Sequence, residues 1–328
     1  MKSSKKIKLT LLSLIIGMSI NSYAINKVIY GVDDRLDVFE VTNEKYIELS
    51  KSTAAMVPNN RIESLNSYEV ELGGKTLEGR GMCSDEKFSK QPTVANCSGF
   101  LVDKNKLVTA GHCMTSESSC KSNSWVFDYK VSFSDQSKVV VEKSKVYKCK
   151  RIISQDLNSS TKNDYALIEL VEVVEDRKPL KFRKEGAVKV NDKLVVIGHP
   201  TGLPTKIAAG AKVRKVGAVF FSANLDTYGG NSGSAVFNAT TGLVEGILVR
   251  GDQDYKYDRV KKCQVSNVIV SSGGRGEDVT LITNIKELDS IIIEDETQET
   301  PDDQSQTEEP RKPDYSHLPA WLRWLLGL

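Results

Sequence analysis

Apolar residues in this chain come in short runs, too brief for buried helices and separated by stretches rich in Ser, Asp, Asn and Lys. A first set falls at 99–102, 106–110, 125–133, 139–153 with a bend, and 166–170; a second falls at 193–198, around Ile207, and at 211–221, 235–237, 243–249 and 279–283. Runs of this length bounded by turn residues read as strands. Two such sets with no long helix between them predict an all-β fold of two small antiparallel barrels, because closing a sheet on itself buries its apolar face without leaving edges. Residues 284–293 have helical spacing and predict a C-terminal helix. The segment 25–90 is less regular, with a helical pattern over 44–56 (Tyr46, Leu49, Ala54) and a short strand pattern over 67–72.

The ends of the chain differ from its middle. Lys2, Lys5, Lys6 and Lys8 precede an apolar run over 9–20 and the small residues Ser22 and Ala24. This pattern predicts a secretory signal peptide, 1–24, cleaved after Ala24, since the run is too short to span a bilayer comfortably. Its removal takes the formal charge from +2 to −2, and a nearly neutral chain is a poor partner for nucleic acid. Between 294 and 309 eight of sixteen residues are acidic, so 294–318 reads as a solvated flexible linker. The last ten residues, 319–328, hold Trp321, Trp324, Arg323 and four leucines ending at Leu328; such a tail suits peripheral contact with a membrane or envelope surface and is too short to cross one. Export to the periplasm or beyond also explains six cysteines, which are expected to pair in an oxidising compartment. A zinc site is the competing use of those cysteines, and the short Cys-x-x-Cys and His spacings it needs are missing, so no metal or other cofactor is expected.

Three stretches carry chemistry. In 225–234 Gly229, Gly230 and Gly233 surround Ser232, a composition that lets backbone amides converge beside a hydroxyl. The stretch 107–113 carries an apolar strand into His112, and the run 164–170 begins on Asp164. A serine hydroxyl needs a base to take its proton during attack, and an imidazole needs an acceptor to fix its tautomer. Of three histidines, His199 is followed by a turn-forming proline and His317 lies in the tail, leaving His112 as the base. The glycines at 273, 274 and 276 lack the following Lys-Ser/Thr of a phosphate loop.

These stretches resemble the chymotrypsin-like (trypsin-like) serine proteases, in which base, acid and nucleophile occur in the order His, Asp, Ser; here the separations are 52 and 68 residues. The resemblance covers about 90–290. It implies two six-stranded antiparallel barrels and a C-terminal helix, with a first barrel at about 91–185, a second at about 186–293 and an N-terminal extension at 25–90. It also implies a monomeric secreted endopeptidase acting on polypeptides, with His112, Asp164 and Ser232 catalytic and the Gly230 and Ser232 amides as oxyanion hole. A disulfide between Cys97 and Cys113 is implied beside the histidine. Pairing of Cys120 with Cys149 and Cys83 with Cys263 then accounts for the rest.

Residues 28–35 resemble the mature N-terminal segment of bacterial glutamyl endopeptidases, which places 25–90 in the mature enzyme; a propeptide is the alternative. Asn231 and Tyr228 depart from the animal members, where an aspartate and a cysteine stand, so activation by a freed N-terminus and the usual pocket clamp are not carried over. Asp226, six residues before Ser232, occupies the spacing at which trypsin-like members place the carboxylate at the pocket floor, and this predicts cleavage after Lys or Arg. Thr227 is a position the glutamyl branch uses, and Arg250 could attract an acidic side chain or pair with Asp226; the branch's histidine is absent from 246–251. Glu specificity and a non-catalytic, peptide-binding relative are therefore the rival expectations.

Overall fold

A computed structural model describes residues 28–292; the expected signal peptide, linker and tail lie outside the described residues. Twelve strands build two closed barrels. The first contains β1 (Thr53–Pro58), β2 (Cys97–Asp103), β3 (Lys106–Thr109), β4 (Asn123–Val126), β5 (Val146–Leu157) and β6 (Asp164–Leu170). The second contains β7 (Lys193–Gly198), β8 (Lys206–Val216), β9 (Phe220–Ala223), β10 (Ala235–Asn238), β11 (Val244–Arg250) and β12 (Glu277–Leu281). Going round each ring by hydrogen-bonded neighbours, the first runs β1-β2-β3-β6-β5-β4 and the second β7-β8-β9-β12-β11-β10. One topology is thus used twice, with no repeat visible in the sequence.

Each barrel is filled by the inward residues of its short runs. Leu194, Val196, Phe221, Val236, Leu248 and Val279 meet in the second, all 2% exposed or less. In the first, Trp125 is fully buried and packs so closely on β2 that a Cβ at Gly99 would lie 2.6 Å from its ring. A small sheet of Ile62–Ser64, Glu69–Leu72 and Val139–Glu142 adds Val70, Leu72, Val139 and Val141 to that core.

Three sequence expectations need correction. The helical pattern over 44–56 is a helix only over Glu44–Lys51, with Asn43 as its N-cap; Ala54 and Met56 belong to β1, where pairing with both β2 and β4 completes the barrel. Tertiary pairing here overrides a weak local periodicity. The first barrel therefore draws a strand from the segment read as an extension, and that segment is integral to the fold. The runs at 125–133 and 139–153 are also broken: β4 stops at Val126, and a 3-10 turn at Lys143–Lys145 separates Val139–Glu142 from β5. At the C-terminal end the described part of the helical segment is 3-10, in two short stretches, Ile282–Asn284 and Lys286–Ser290.

The cysteines pair as Cys97–Cys113, Cys120–Cys149 and Cys83–Cys263. The last spans 180 residues and ties the segment before β2 to a hairpin of Tyr255–Asp258 and Cys263–Ser266 beyond β11.

Candidate active site

Strand β3 ends at Thr109, and the chain turns through a 3-10 segment, Gly111–Cys113, that carries His112. Gly111 is required there, since a Cβ would fall 2.4 Å from the Asp156 carbonyl oxygen and 2.8 Å from that of Tyr165. The Cys97–Cys113 bond fastens this turn to the start of β2. Asp164 opens β6, which pairs antiparallel with β3 and so delivers the carboxylate to the turn. It accepts twice: from the His112 amide at 3.1 Å and from His112 Nδ1 at 2.8 Å. An ionised carboxylate can only accept, so Nδ1 is the donor in this contact. Asp164 is 2% exposed, a burial that keeps water from competing for this contact.

Ser232 sits on the loop between β9 and β10. Its carbonyl accepts from the Ser98 amide at 2.8 Å and lies 3.8 Å from Cys113 Sγ, so the loop rests on the elements that hold His112. Ser232 Oγ and His112 Nε2 are both buried and without a hydrogen-bond partner among the described residues. Such bonds often form only when substrate is bound. Two glycines give the loop its shape. Gly230 (φ +90°) faces the backbone of 199–202, where a Cβ would meet the His199 carbonyl oxygen at 2.6 Å, and Gly233 (φ +87°) faces the Ser98 carbonyl oxygen at 2.1 Å. The Gly230 carbonyl accepts from Ser98 Oγ at 2.8 Å, which ties the loop to β2. Ser98, which also accepts from the His199 amide at 3.0 Å, went unnoticed in the sequence; its place beside Cys97 was the available signal.

His199 is remote from this chemistry in character. Its ring is fully buried, stacked on Tyr129 and donating from Nδ1 to the Leu203 carbonyl, and burial pushes it down to about 3, holding it neutral.

Residues 97–247, which carry Ser232, His112 and Asp164, match the trypsin-like peptidase domain. Those residues form a serine-type, trypsin-like peptidase domain. No protein of curated function matches it in sequence. Among solved structures it is similar to a Glu endopeptidase in complex with MPD (14% identity, TM-score 0.44, covering 80% of this chain and 97% of that one). It is similar also to the VesB protease of Vibrio cholerae (14%, 0.46, 78% and 66%) and to the Rv3671c protease of M. tuberculosis in its active form (14%, 0.43, 86% and 92%).

Within this chymotrypsin-like frame the three residues expected to shape the pocket part company. Asp226 is 5% exposed, and its two oxygens are taken by backbone amides of the N-terminal segment, Tyr30 N at 2.7 Å and Asp34 N at 2.9 Å. Burial pushes its carboxyl up to about 7 against the opposing pull of those amides. It thereby anchors residues 28–37, a contact that spacing did not foresee. The same segment adds Arg35–Asp37 to the edge of β8 and lays the Arg35 guanidinium, 1% exposed, over Tyr228 at 4.3 Å. Arg250 also departs from expectation. It pairs with Asp278 (3.3 Å) and approaches Asp164 (3.5 Å), away from Asp226, and lines a cavity of about 780 Å³ with His112, Leu157, Asp164, Phe220 and Arg275.

Thr227 points at a residue that sequence reasoning missed. Its hydroxyl donates to Glu277 Oε2 at 2.9 Å, and Glu277 is fully buried at the start of β12. A glutamate heading an apolar strand, Val279 and Leu281 following, was the signal that could have exposed it. Cys97, His112 and Cys113 lie close enough together to suggest a metal site, but the two sulfurs are bonded to each other and offer no thiolate.

Proposed function

We propose that this chain is an exported serine endopeptidase in which Ser232 attacks the peptide carbonyl, His112 takes the hydroxyl proton, and Asp164 holds the imidazole in register. The acyl-enzyme is then released by water activated on the same histidine. The Gly230 and Ser232 amides receive the oxyanion. The observation that carries this reading is the double grip of Asp164 on His112, ring and backbone together, beside a buried serine hydroxyl left unpaired among the described residues. The reaction needs that geometry, because the imidazolium formed during attack is stabilised by a carboxylate already in place.

The preferred residue before the scissile bond is Lys or Arg, supported by the acidic side chain of Asp226 six residues before Ser232. Three disulfides support an oxidising compartment. No helix among the described residues is long and apolar enough to cross a membrane. In this reading 1–24 is an export signal, 25–293 the peptidase, 294–318 a linker, and 319–328 a peripheral docking tail.

The test is labelling of the secreted protein by a fluorophosphonate probe. Wild type is expected to react at one site and Ser232→Ala at none, with the two unfolding alike in urea. A variant that kept more than about a thousandth of wild-type turnover would sink the assignment.

A further inference from the structure

The cavity of about 780 Å³ that opens beside His112 and Asp164 has an apolar wall and a cationic rim. Leu157 at the end of β5, Phe220 at the start of β9 and Val249 on β11 supply the wall, and Leu157 leaves 49% of its surface uncovered. The rim carries Lys162, Arg250 and Arg275, facing Asp278 as the one lining carboxylate not engaged with the histidine. Arg250 Nε donates to Asp278 Oδ2 at 3.3 Å, and Arg275 Nη2 donates to the same oxygen. One carboxylate cannot neutralise two guanidiniums. Each guanidinium has five N–H groups, and Arg275 places only two of them in side-chain bonds, on Asp278 and on the Gly251 carbonyl (3.2 Å). Lys162 Nζ has no partner among the described residues. Its backbone is nevertheless fixed: the Lys162 amide donates to the Asn158 carbonyl at 2.8 Å, its carbonyl accepts from Arg250 Nη2 at 2.9 Å, and Asn158 Oδ1 accepts from the Ser160 and Thr161 amides at 2.9 and 3.0 Å. A built turn thus holds an unpaired cation at the mouth of the cavity.

We propose that this cavity receives an acidic side chain of the polypeptide substrate, beyond the residue before the scissile bond and within about four residues of it, and that Lys162 and Arg275 read its charge. This rests on the reading of Ser232 as nucleophile. His112 belongs both to the catalytic geometry and to the cavity wall. An extended chain advances about 3.3 Å per residue, so a substrate whose carbonyl reaches Ser232 lays a nearby side chain along Leu157 and Phe220. A glutamate matches both features of the cavity. Its methylenes cover the apolar wall, and its carboxylate meets the N–H groups that Asp278 leaves unpaired. A lysine or arginine in the same place would add to a charge already in excess. Enclosure by apolar side chains raises the strength of the pairing above its value in open water.

The experiment compares kcat/KM on two peptide series, with fluorophosphonate labelling of wild type in parallel. The first series varies only the residue before the scissile bond (Arg, Lys, Gln, Glu). Its best member is the base of the second, in which Glu, Gln or Lys is placed at each of the other nearby positions on both sides of that bond. Wild type is expected to favour Glu over Gln at one of those positions by about threefold to tenfold, less at high salt. Lys162→Gln and Arg275→Gln each lower that ratio by about twofold to fivefold, the range for a partly exposed ion pair, and together they bring it close to one, because Arg250 and Asp278 then balance. Lys162→Glu turns the preference toward Lys at the same position. A ratio taken within one variant does not depend on its overall rate, and exposed Lys162 serves if Arg275→Gln does not fold. The proposal is overturned by a wild type that shows no preference for Glu at any position of the second series. A Glu-to-Gln ratio unmoved in the Lys162 variants, or moved only before the scissile bond, overturns it too, while a wild type that takes no label overturns the catalytic reading beneath it.

Discussion

Replacing Asp226 by Asn separates two roles for this carboxylate, substrate recognition and anchorage, because they predict opposite results. The structure gives Asp226 two amide donors and almost no solvent, and burial outweighs the donors to push it from 3.8 to about 7. An acid raised on folding stabilises the fold fully below its unfolded value, and that stability is lost as the pH rises through the folded one. Raising the carboxyl from 3.8 to about 7 amounts to about 4 kcal/mol lost by wild type between pH 4 and pH 8. Asn does not titrate. Its NH₂ must face one of two amide donors, a mismatch costing about 1–3 kcal/mol at any pH. The variant is therefore less stable than wild type at pH 4.5, and the gap closes or reverses by pH 8. Urea unfolding of both proteins at the two pH values measures this, and the peptide series measures whether the preference for Arg and Lys survives. A gap that widens with pH would show that the ionised carboxylate helps the fold. Loss of the basic preference would place Asp226 in the pocket.

Other consequences follow from single contacts. Lys206 is buried with Asp37 (2.6 Å), Gln91 (2.7 Å) and the Pro204 carbonyl (3.0 Å), and burial lowers it to about 8; Asp37→Ala strands the cation and should cost about 3–5 kcal/mol in urea unfolding, whereas a loss under about 1 kcal/mol would show the pair is relaxed. Gly251→Ala places a methyl 1.9 Å from Glu277 Oε2 and should lower stability in urea unfolding by about 1–3 kcal/mol, whereas an unchanged midpoint would show that the segment gives way freely. Replacing Cys97 and Cys113 together by Ala releases the turn that carries His112; labelling should slow and stability fall by about 2–5 kcal/mol, and unchanged labelling would show that Asp164 alone positions the histidine.

Sequence alone determined what short-range chemistry can encode. Runs of strand length, with turn residues between them, dictate barrels because no segment offers a longer apolar face. The glycines around Ser232 mark a backbone that must pass within contact of its neighbours, and Gly230 and Gly233 do so at positive φ. His112 at the end of one strand and Asp164 at the start of another were legible as a histidine and its acceptor because β3 and β6 pair antiparallel, which brings a strand end to a strand start. Tertiary structure decided what depends on distant chain. Spacing placed Asp226 at a known distance from Ser232 but could not say where its oxygens point; Tyr30 and Asp34, more than 190 residues away, decide that. Thr53–Pro58 became a barrel strand because two partners were waiting for its backbone, against a helical pattern too weak to hold it. Glu277 reached Thr227, 50 residues earlier, only because β12 pairs with β9, which sets Glu277 opposite Ala223 at the start of that loop. A carboxylate's neighbours are set by which strands close the barrel, and local sequence carries no record of that closure.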